Sequence, residues 1–324
     1  MLNILVTGGA GFIGSHACKA LSKAGYLPVT YDNLSRGHRD TVKWGPLEVG
    51  DIADTRRMRA VLEQYQPAAV MHFAGYAYVG ESVENPLLYY RNNIGGSAAL
   101  LEAVIDFKPL PFVFSSTCAT YGIPEKIPIT EDHPQRPINP YGYSKFVVER
   151  MLADLGVAHQ LPWIALRYFN AAGADPEKEI GEMHDPATHL IPLVLRAAQS
   201  GTPMQVFGTD YDTPDGTCIR DYVHVTDIAA AHVRALNYLL AQGKSCALNL
   251  ANARGYSVKE VIKTAERICD RTISVNNTAR RNGDPPVLVG SAERAHEILG
   301  WMPNRSDLDI QIQDTWNWLK SRHS

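Results

Sequence analysis

The chain has 324 residues, with 31 Lys+Arg against 34 Asp+Glu and a formal net charge of -3 at pH 7. That length can bury one large core or two smaller ones, and a near-balanced charge without a basic tail or stripe argues against nucleic acid as the main partner. No run of 18 apolar residues exists, so no membrane span is expected.

The N-terminal segment MLNILVTGGAGFIGSH reads as a strand over residues 2–6, a glycine turn (Gly8, Gly9, Gly11, Gly14) and a helix. A dinucleotide pyrophosphate requires that order. Glycines allow a tight turn and close backbone approach, and a helix N-terminus offers unpaired N–H groups at a positive dipole end. A strand starting at residue 2 leaves no room for a signal peptide. The runs LPVTYD (27–32), AAVMHFAG (68–75), PFVFSST (111–117) and WIALRYFN (163–170) have the continuous, β-rich character of parallel strands covered on both faces. Helical patterns lie between them, so the fold class is α/β, a doubly wound parallel (Rossmann) sheet.

Local signals refine this. Asp32 closes the second strand, where a carboxylate accepts both hydrogen bonds of an adenine-ribose diol and repels a 2′-phosphate, favouring NAD over NADP. Arg36 and Arg39 just beyond read as solvated loop charges rather than phosphate ligands. Asp51-Ile52 after LEVG fits either an adenine contact or a turn former, and Phe73-Ala74 fits either a cofactor wall or a plain strand end. Asn85-Pro86 resembles an N-cap followed by an N1 proline, and Asn139-Pro140 repeats that signal before Tyr141. Tyr141 and Lys145, four residues apart, share one helix face. A phenol has a pKa near 10, and bringing it to about 7 takes roughly 3 units, about 4 kcal/mol. Positive charge from Lys145 and from an oxidised nicotinamide can supply that. Thr117 at the end of FSST is placed at the carboxyl end of a central strand, where open α/β sheets bind ligands.

After Asn170 the stretch AAGADPEKEIGEMHDPATHL is polar, acidic and aperiodic, and reads as a long binding loop. A helix HLIPLVLRAAQSG, a strand MQVFG, a helix over residues 226–240, a strand CALNLAN, a capping box from Ser257 to Glu260 and a tail helix DIQIQDTWNWLKS follow. We expect residues 1–170 to form an NAD-binding domain and 171–324 mainly a smaller α/β substrate lobe, interleaved with the sheet because no clean linker separates them. Cys18, Cys118, Cys218, Cys246 and Cys269 are odd in number and unpatterned, as reduced thiols of a cytoplasmic protein are. Neither they nor the 11 histidines show metal-ligand spacing.

On TGGAGFIG, Asp32 and the Tyr141–Lys145 pair the chain resembles the extended short-chain dehydrogenase/reductase family. HFAG, GESVENPLLYYRNN, FSSTCATYG, NPYGYSK, RYFNAAGADP, DGTCIRDYVHVTD and RRNGDPP make it similar to that family's UDP-glucose 4-epimerases from residue 2 to the C-terminus. The resemblance implies interconversion of UDP-glucose and UDP-galactose in a homodimer, by NAD-mediated oxidation at sugar C4, rotation of the 4-keto sugar and re-reduction. Tyr141 would be the base, Thr117 its assistant, and Lys145 the residue that tunes it. NAD would meet Gly8, Gly11, Phe12, Ile13, Gly14, Asp32, Asn33, Asp51, Ile52, Phe73, Ala74, Asn92, Tyr141, Lys145 and Tyr168. The UDP-sugar would meet Thr117, Tyr141, Asn170, His189, Leu190, Gln205, Val206, Phe207, Arg220, Arg281, Asp284 and Leu288. Two positions depart from the pattern. Ala77 stands where many members carry a Lys near the pyrophosphate, and Leu288 where some carry a Tyr beside the sugar, which opens the alternative of an N-acetylhexosamine or pentose substrate. A related 4,6-dehydratase needs an acid/base carboxylate pair just after Thr117, where Cys118 and Ala119 stand. A non-catalytic nucleotide sensor has no need of Thr117, Tyr141 and Lys145 together.

Overall fold

The computed structural model describes residues 1–184, 187–281 and 284–322. Thirteen strands run in chain order: β1 (Asn3–Thr7), β2 (Leu27–Asp32), β3 (Leu47–Val49), β4 (Ala69–His72), β5 (Phe112–Thr117), β6 (Trp163–Tyr168), β7 (Asn170–Ala172), β8 (Met204–Phe207), β9 (Ile219–His224), β10 (Cys246–Leu250), β11 (Gly255–Ser257), β12 (Val275–Thr278) and β13 (Val287–Leu288). Seven of them form one parallel sheet in the order β10-β6-β5-β4-β1-β2-β3.

The continuous apolar runs explain why that sheet is covered on both faces. Successive strand side chains point to opposite sides. Ile4, Val6, Met71, Ile164 and Leu166 therefore pack with Leu21, Ile228 and Leu236 on one face. Leu5, Val29, Val70, Phe112 and Phe114 pack with Met58, Leu62, Leu100 and Val148 on the other. Strand order reverses between β1 and β4, and ligands of such sheets bind in the crevice outside the strands' carboxyl ends there.

Beyond residue 170 a four-stranded sheet forms around β9, which pairs with β7, β11 and β13, and β8 pairs with β12. The chain then returns: the helix Val225–Leu240 packs against the helix Phe12–Lys23, and β10 completes the large sheet beside β6. The long acidic loop begins with the short strand β7, then folds back on the first helix. There the almost wholly buried ammonium of Lys19 meets Asp175 at 2.8 Å, Glu177 at 2.9 Å and Glu179 at 2.5 Å.

The cap signals divide. Asn139 accepts from the Gly142 amide at 2.8 Å, and Ser257 and Glu260 close their reciprocal capping box. Asn85 does not cap with its side chain. Its own amide closes the preceding helix Val79–Glu84, donating to the Glu81 carbonyl at 2.8 Å, and that double duty sets a backbone (φ -129°, ψ 63°) unlike the extended one at Asn139. The turn Pro86–Tyr89 then runs through a π-helical segment, Tyr90–Gly96, into the helix Ser97–Phe107.

A Cβ added at Gly14 would stand 2.2 Å from the Gly8 carbonyl oxygen, whereas one at Gly80, in a helix, would meet nothing within 4 Å. Gly14→Ala should therefore cost at least about 1–3 kcal/mol, and Gly80→Ala should be neutral or stabilising by up to about 1 kcal/mol. Denaturant titration of the two variants checks this, and equal stabilities would contradict it.

Candidate active site

The β1 turn presses backbone against backbone. A Cβ at Gly8 would lie 2.4 Å from the Ala74 amide nitrogen, so the turn touches the segment leaving β4. Gly11 precedes the helix Phe12–Lys23 and brings no side chain to cap it, so the first-turn amides of Phe12, Ile13 and Gly14 point outward as an anion site. Asp32, buried at the end of β2, accepts from Ala10 N at 3.0 Å and Leu34 N at 2.8 Å. Burial raises its pKa, and the two amide bonds oppose that. Asn33 and Asp51 are joined at 2.8 Å, and Asp51 also forms its own turn, accepting from Ala53 N at 2.9 Å. Both sequence readings of Asp51 are thus compatible with its position. Ile52 sends its side chain into the core and offers a ligand only backbone atoms.

The second wall comes from β5, β6 and the helix Pro140–His159. Asn139 fixes the start of that helix so that Tyr141 and Lys145 face the end of β5. Burial pushes the Tyr141 phenol up to about 12, and a hydrogen bond with Thr117 pulls it back. Burial also draws Lys145 down to about 8, opposed by the carboxylate of Glu149. The Lys145 ammonium donates to the Ser115 carbonyl at 2.8 Å and lies 4.9 Å from the Phe114 ring centroid. Tyr168 is hydrogen-bonded to the Ser115 hydroxyl. Asn92 donates to Asn93 Oδ1 at 2.9 Å. It is Asn93, not singled out from sequence, that ties the β4 exit to the helix Pro140–His159, through Tyr76 N at 2.9 Å and Ser144 Oγ at 2.9 Å.

The smaller sheet supplies a cationic, aromatic side. Arg220 on β9 is paired with Asp284 and is close enough to Cys118 to lower its thiol pKa against burial. Arg281 stacks 4.0 Å from the Phe207 ring centroid. Leu288 on β13 is the register partner of Arg220 and packs in a cluster with Cys118, Tyr121 and Phe169. Asn170 donates to the Asp221 carbonyl at 2.8 Å. Leu190 opens the helix Leu190–Ser200 and His189 precedes it. Val206 packs in the core of this half, and Gln205 on the opposite face of β8 is exposed. Asn282 and Gly283 of the RRNGDPP motif lie outside the described residues.

Two groupings have metal-ligand chemistry among the described residues. Asp175, Glu177 and Glu179 enclose the Lys19 ammonium, which is itself their cation. Glu182 Oε1 lies 3.1 Å from His184 Nδ1 and 2.7 Å from His189 Nδ1. Burial opposes the charge on both His189 and Glu182, yet their bond raises the imidazole pKa and lowers the carboxyl's. Glu182 carried no recognisable sequence signal. Arg36, read from sequence as a solvated charge, is instead paired with Glu81 at 2.5 Å, because the fold brings the helix Val79–Glu84 over its loop.

Residues 4–251 match the family described as NAD dependent epimerase/dehydratase. The chain is 51% identical over 322 residues to a UDP-glucose 4-epimerase of Rhizobium meliloti (strain 1021), covering 99% of this chain and 98% of that one. Its fold superimposes on a Brucella ovis UDP-glucose 4-epimerase solved in complex with NAD, with a TM-score of 0.95, 51% identity and 98% of each chain covered. It also superimposes on the UDP-Glc/GlcNAc 4-epimerase of Campylobacter jejuni, with a TM-score of 0.86, 37% identity, and 99% of this chain and all of that one covered.

An ammonium near a phenol favours the phenolate, and Lys145 lies one turn beyond Tyr141 on the helix Pro140–His159. With Tyr141 as the base, activity should rise with pH toward the Tyr141 pKa. Lys145→Met removes the charge, raises that pKa and should move the rising limb of kcat/KM upward by about one unit or more at saturating cofactor. A limb that does not move would remove Lys145 from the tuning role.

Proposed function

The chain belongs to the NAD dependent epimerase/dehydratase family, and we infer from this that it interconverts UDP-glucose and UDP-galactose, with NAD as its cofactor. The observation that carries the reading is the convergence of Thr117, Tyr141 and Lys145 at the carboxyl end of β5, beside the glycine turn. The turn fits a dinucleotide. Its glycines leave no space for a Cβ, and its helix offers amides to a pyrophosphate. NAD, when bound, accepts a hydride from the sugar and returns it.

The chain's own residues handle the proton and hold the nucleotide. Tyr141 takes the proton of the sugar 4-hydroxyl and restores it at the end, while Thr117 shares a hydrogen bond with both hydroxyls. Lys145 keeps the phenolate accessible. Arg220 and Arg281 suit a diphosphate, since guanidinium groups present planar forks of donors, and Phe207 offers a flat face to the uracil. His189, hydrogen-bonded to Glu182, adds a further polar group to this side. With the diphosphate held on β9 and its neighbours, the hexose can turn and present its other face without leaving. In this division residues 1–170 hold mainly NAD and 171–324 mainly the UDP-sugar. Cys118 and Ala119 offer no acid/base pair to expel water, which sets aside the dehydratase reaction.

A homodimer agrees with exposed Val83, Leu87 and Tyr143 on neighbouring helices. Free thiols at all five cysteines agree with the cytoplasm. No helix among the described residues is long and apolar enough to cross a membrane.

Incubation with UDP-galactose should yield UDP-glucose, and absence of conversion by the NAD-loaded protein would favour the nucleotide-sensor reading. Tyr141→Phe should keep the fold and bound NAD but lose about 10²–10⁴ in rate, as removal of a general base does. More than half the normal turnover would exclude that role.

Leu288 favours a second, wider substrate range. It is half-buried beside Arg220 and smaller than a Tyr, so UDP-N-acetylglucosamine should be epimerised measurably but more slowly. Leu288→Tyr should suppress this reaction selectively, because overpacking costs about 1–3 kcal/mol. No conversion of the N-acetylated sugar by the unmutated enzyme would show that other side chains close the site.

A further inference from the structure

The side chain of Arg36 links the loop after β2 to the segment that leaves β4. Its loop is anchored on the turn: His38 N donates to the Ala10 carbonyl at 3.0 Å, and a Cβ on Gly37 would lie 2.8 Å from that of Ala10. The guanidinium reaches the opposite segment, the one that leaves β4 and touches the turn at Gly8 and Ala74. There it lies 4.7 Å from the Tyr76 ring centroid and 5.1 Å from that of Tyr78, and pairs with Glu81.

Each of these partners is fixed in turn. Glu81 accepts from the hydroxyl of the fully buried Tyr89 at 2.7 Å, and that oxygen accepts from Tyr78 N at 2.9 Å. Tyr76 is held by Asn93. A guanidinium carries five donors in a rigid fork. Glu81 and the Tyr78 hydroxyl use only part of it. A pyrophosphate lying on the first-turn amides of the helix Phe12–Lys23 has oxygens on its other side, and Ala77 between the two tyrosines has no donor side chain for them.

We propose that Arg36 is a cofactor-retaining residue, whose guanidinium closes over the pyrophosphate of NAD from the side opposite the helix. The proposal rests on the NAD reading above and adds to it where the second positive group comes from. Two stacked rings and a carboxylate preorganise the guanidinium, so little rotamer freedom is lost on binding. A charge-assisted bond to a phosphate oxygen then adds directly to retention.

The test follows release of radiolabelled NAD from the holoenzyme after a chase with unlabelled NAD. Arg36→Ala should release NAD about tenfold faster or more, Arg36→Lys should fall between, and Arg39→Ala, an exposed arginine three residues on, should stay within twofold of the unmutated protein. Affinity of the cofactor-free protein for ADP-ribose should fall in parallel, and that for adenosine should not. Release from Arg36→Ala within twofold of normal would overturn the proposal. So would an equal loss of adenosine affinity, which would place the effect in the loop rather than at the phosphates. A loss confined to NADP would assign Arg36 to a 2′-phosphate instead. An unmutated protein that binds no NAD would overturn the cofactor reading and this inference together.

Discussion

Everything in the crevice is spaced by one contact in which main chain meets main chain. Where strand order reverses, the β1 turn and the segment leaving β4 approach so closely that no Cβ fits at Gly8, and none fits at Gly14 where the helix returns over the turn. A side chain at either place would push the walls apart by about the width of a methyl group. The next glycine along, Gly75, extends the effect: a Cβ there would stand 3.3 Å from the Lys145 ammonium and 3.4 Å from Asn93 Oδ1. One run of close approach thus sets the width of the turn, where the ammonium lies, and how near the helix Pro140–His159 comes to the sheet.

A second constraint stands behind β5. Glu149, buried one turn beyond Lys145, accepts from Ser116 Oγ at 2.5 Å, Gln135 Nε2 at 2.9 Å and Arg167 Nη2 at 2.6 Å. Arg167 donates onward to Tyr121 Oη, which donates to Asn249 on β10. Buried ion pairs are seldom a net source of stability. This one is fully hydrogen-bonded, and it joins three neighbouring strands to the helix Pro140–His159.

Legibility in the sequence followed the range of the interaction. The glycine turn, Asp32, the Asn139 cap, the Ser257–Glu260 box and the Tyr141–Lys145 pair act over a few residues, and all occupy the elements their local pattern implies. The β-rich runs located the sheet strands because burial on both faces leaves a continuous apolar mark. Arg36 was misread because its partner is 45 positions away, and nothing near it distinguishes a stacked guanidinium from a solvated one. Glu182 was missed for a related reason: a buried carboxylate is recognised by what surrounds it, and the loop that carries it has no periodicity. Asn85 failed as a cap because two helices compete for one residue there, which a pattern read one helix at a time does not register.

The return of the chain to the large sheet has a mechanical meaning. β10 is paired along its whole length with β6, from Cys246 opposite Ile164 to Leu250 opposite Tyr168. The helix before it lies against the helix Phe12–Lys23. Pulling β10 off the edge of the large sheet would break that whole ladder. A sugar that must show both faces to the same reagent can do so by rotating about its own phosphate linkage, between walls that this ladder ties together. The molecule works as a socket in which the substrate is the moving part.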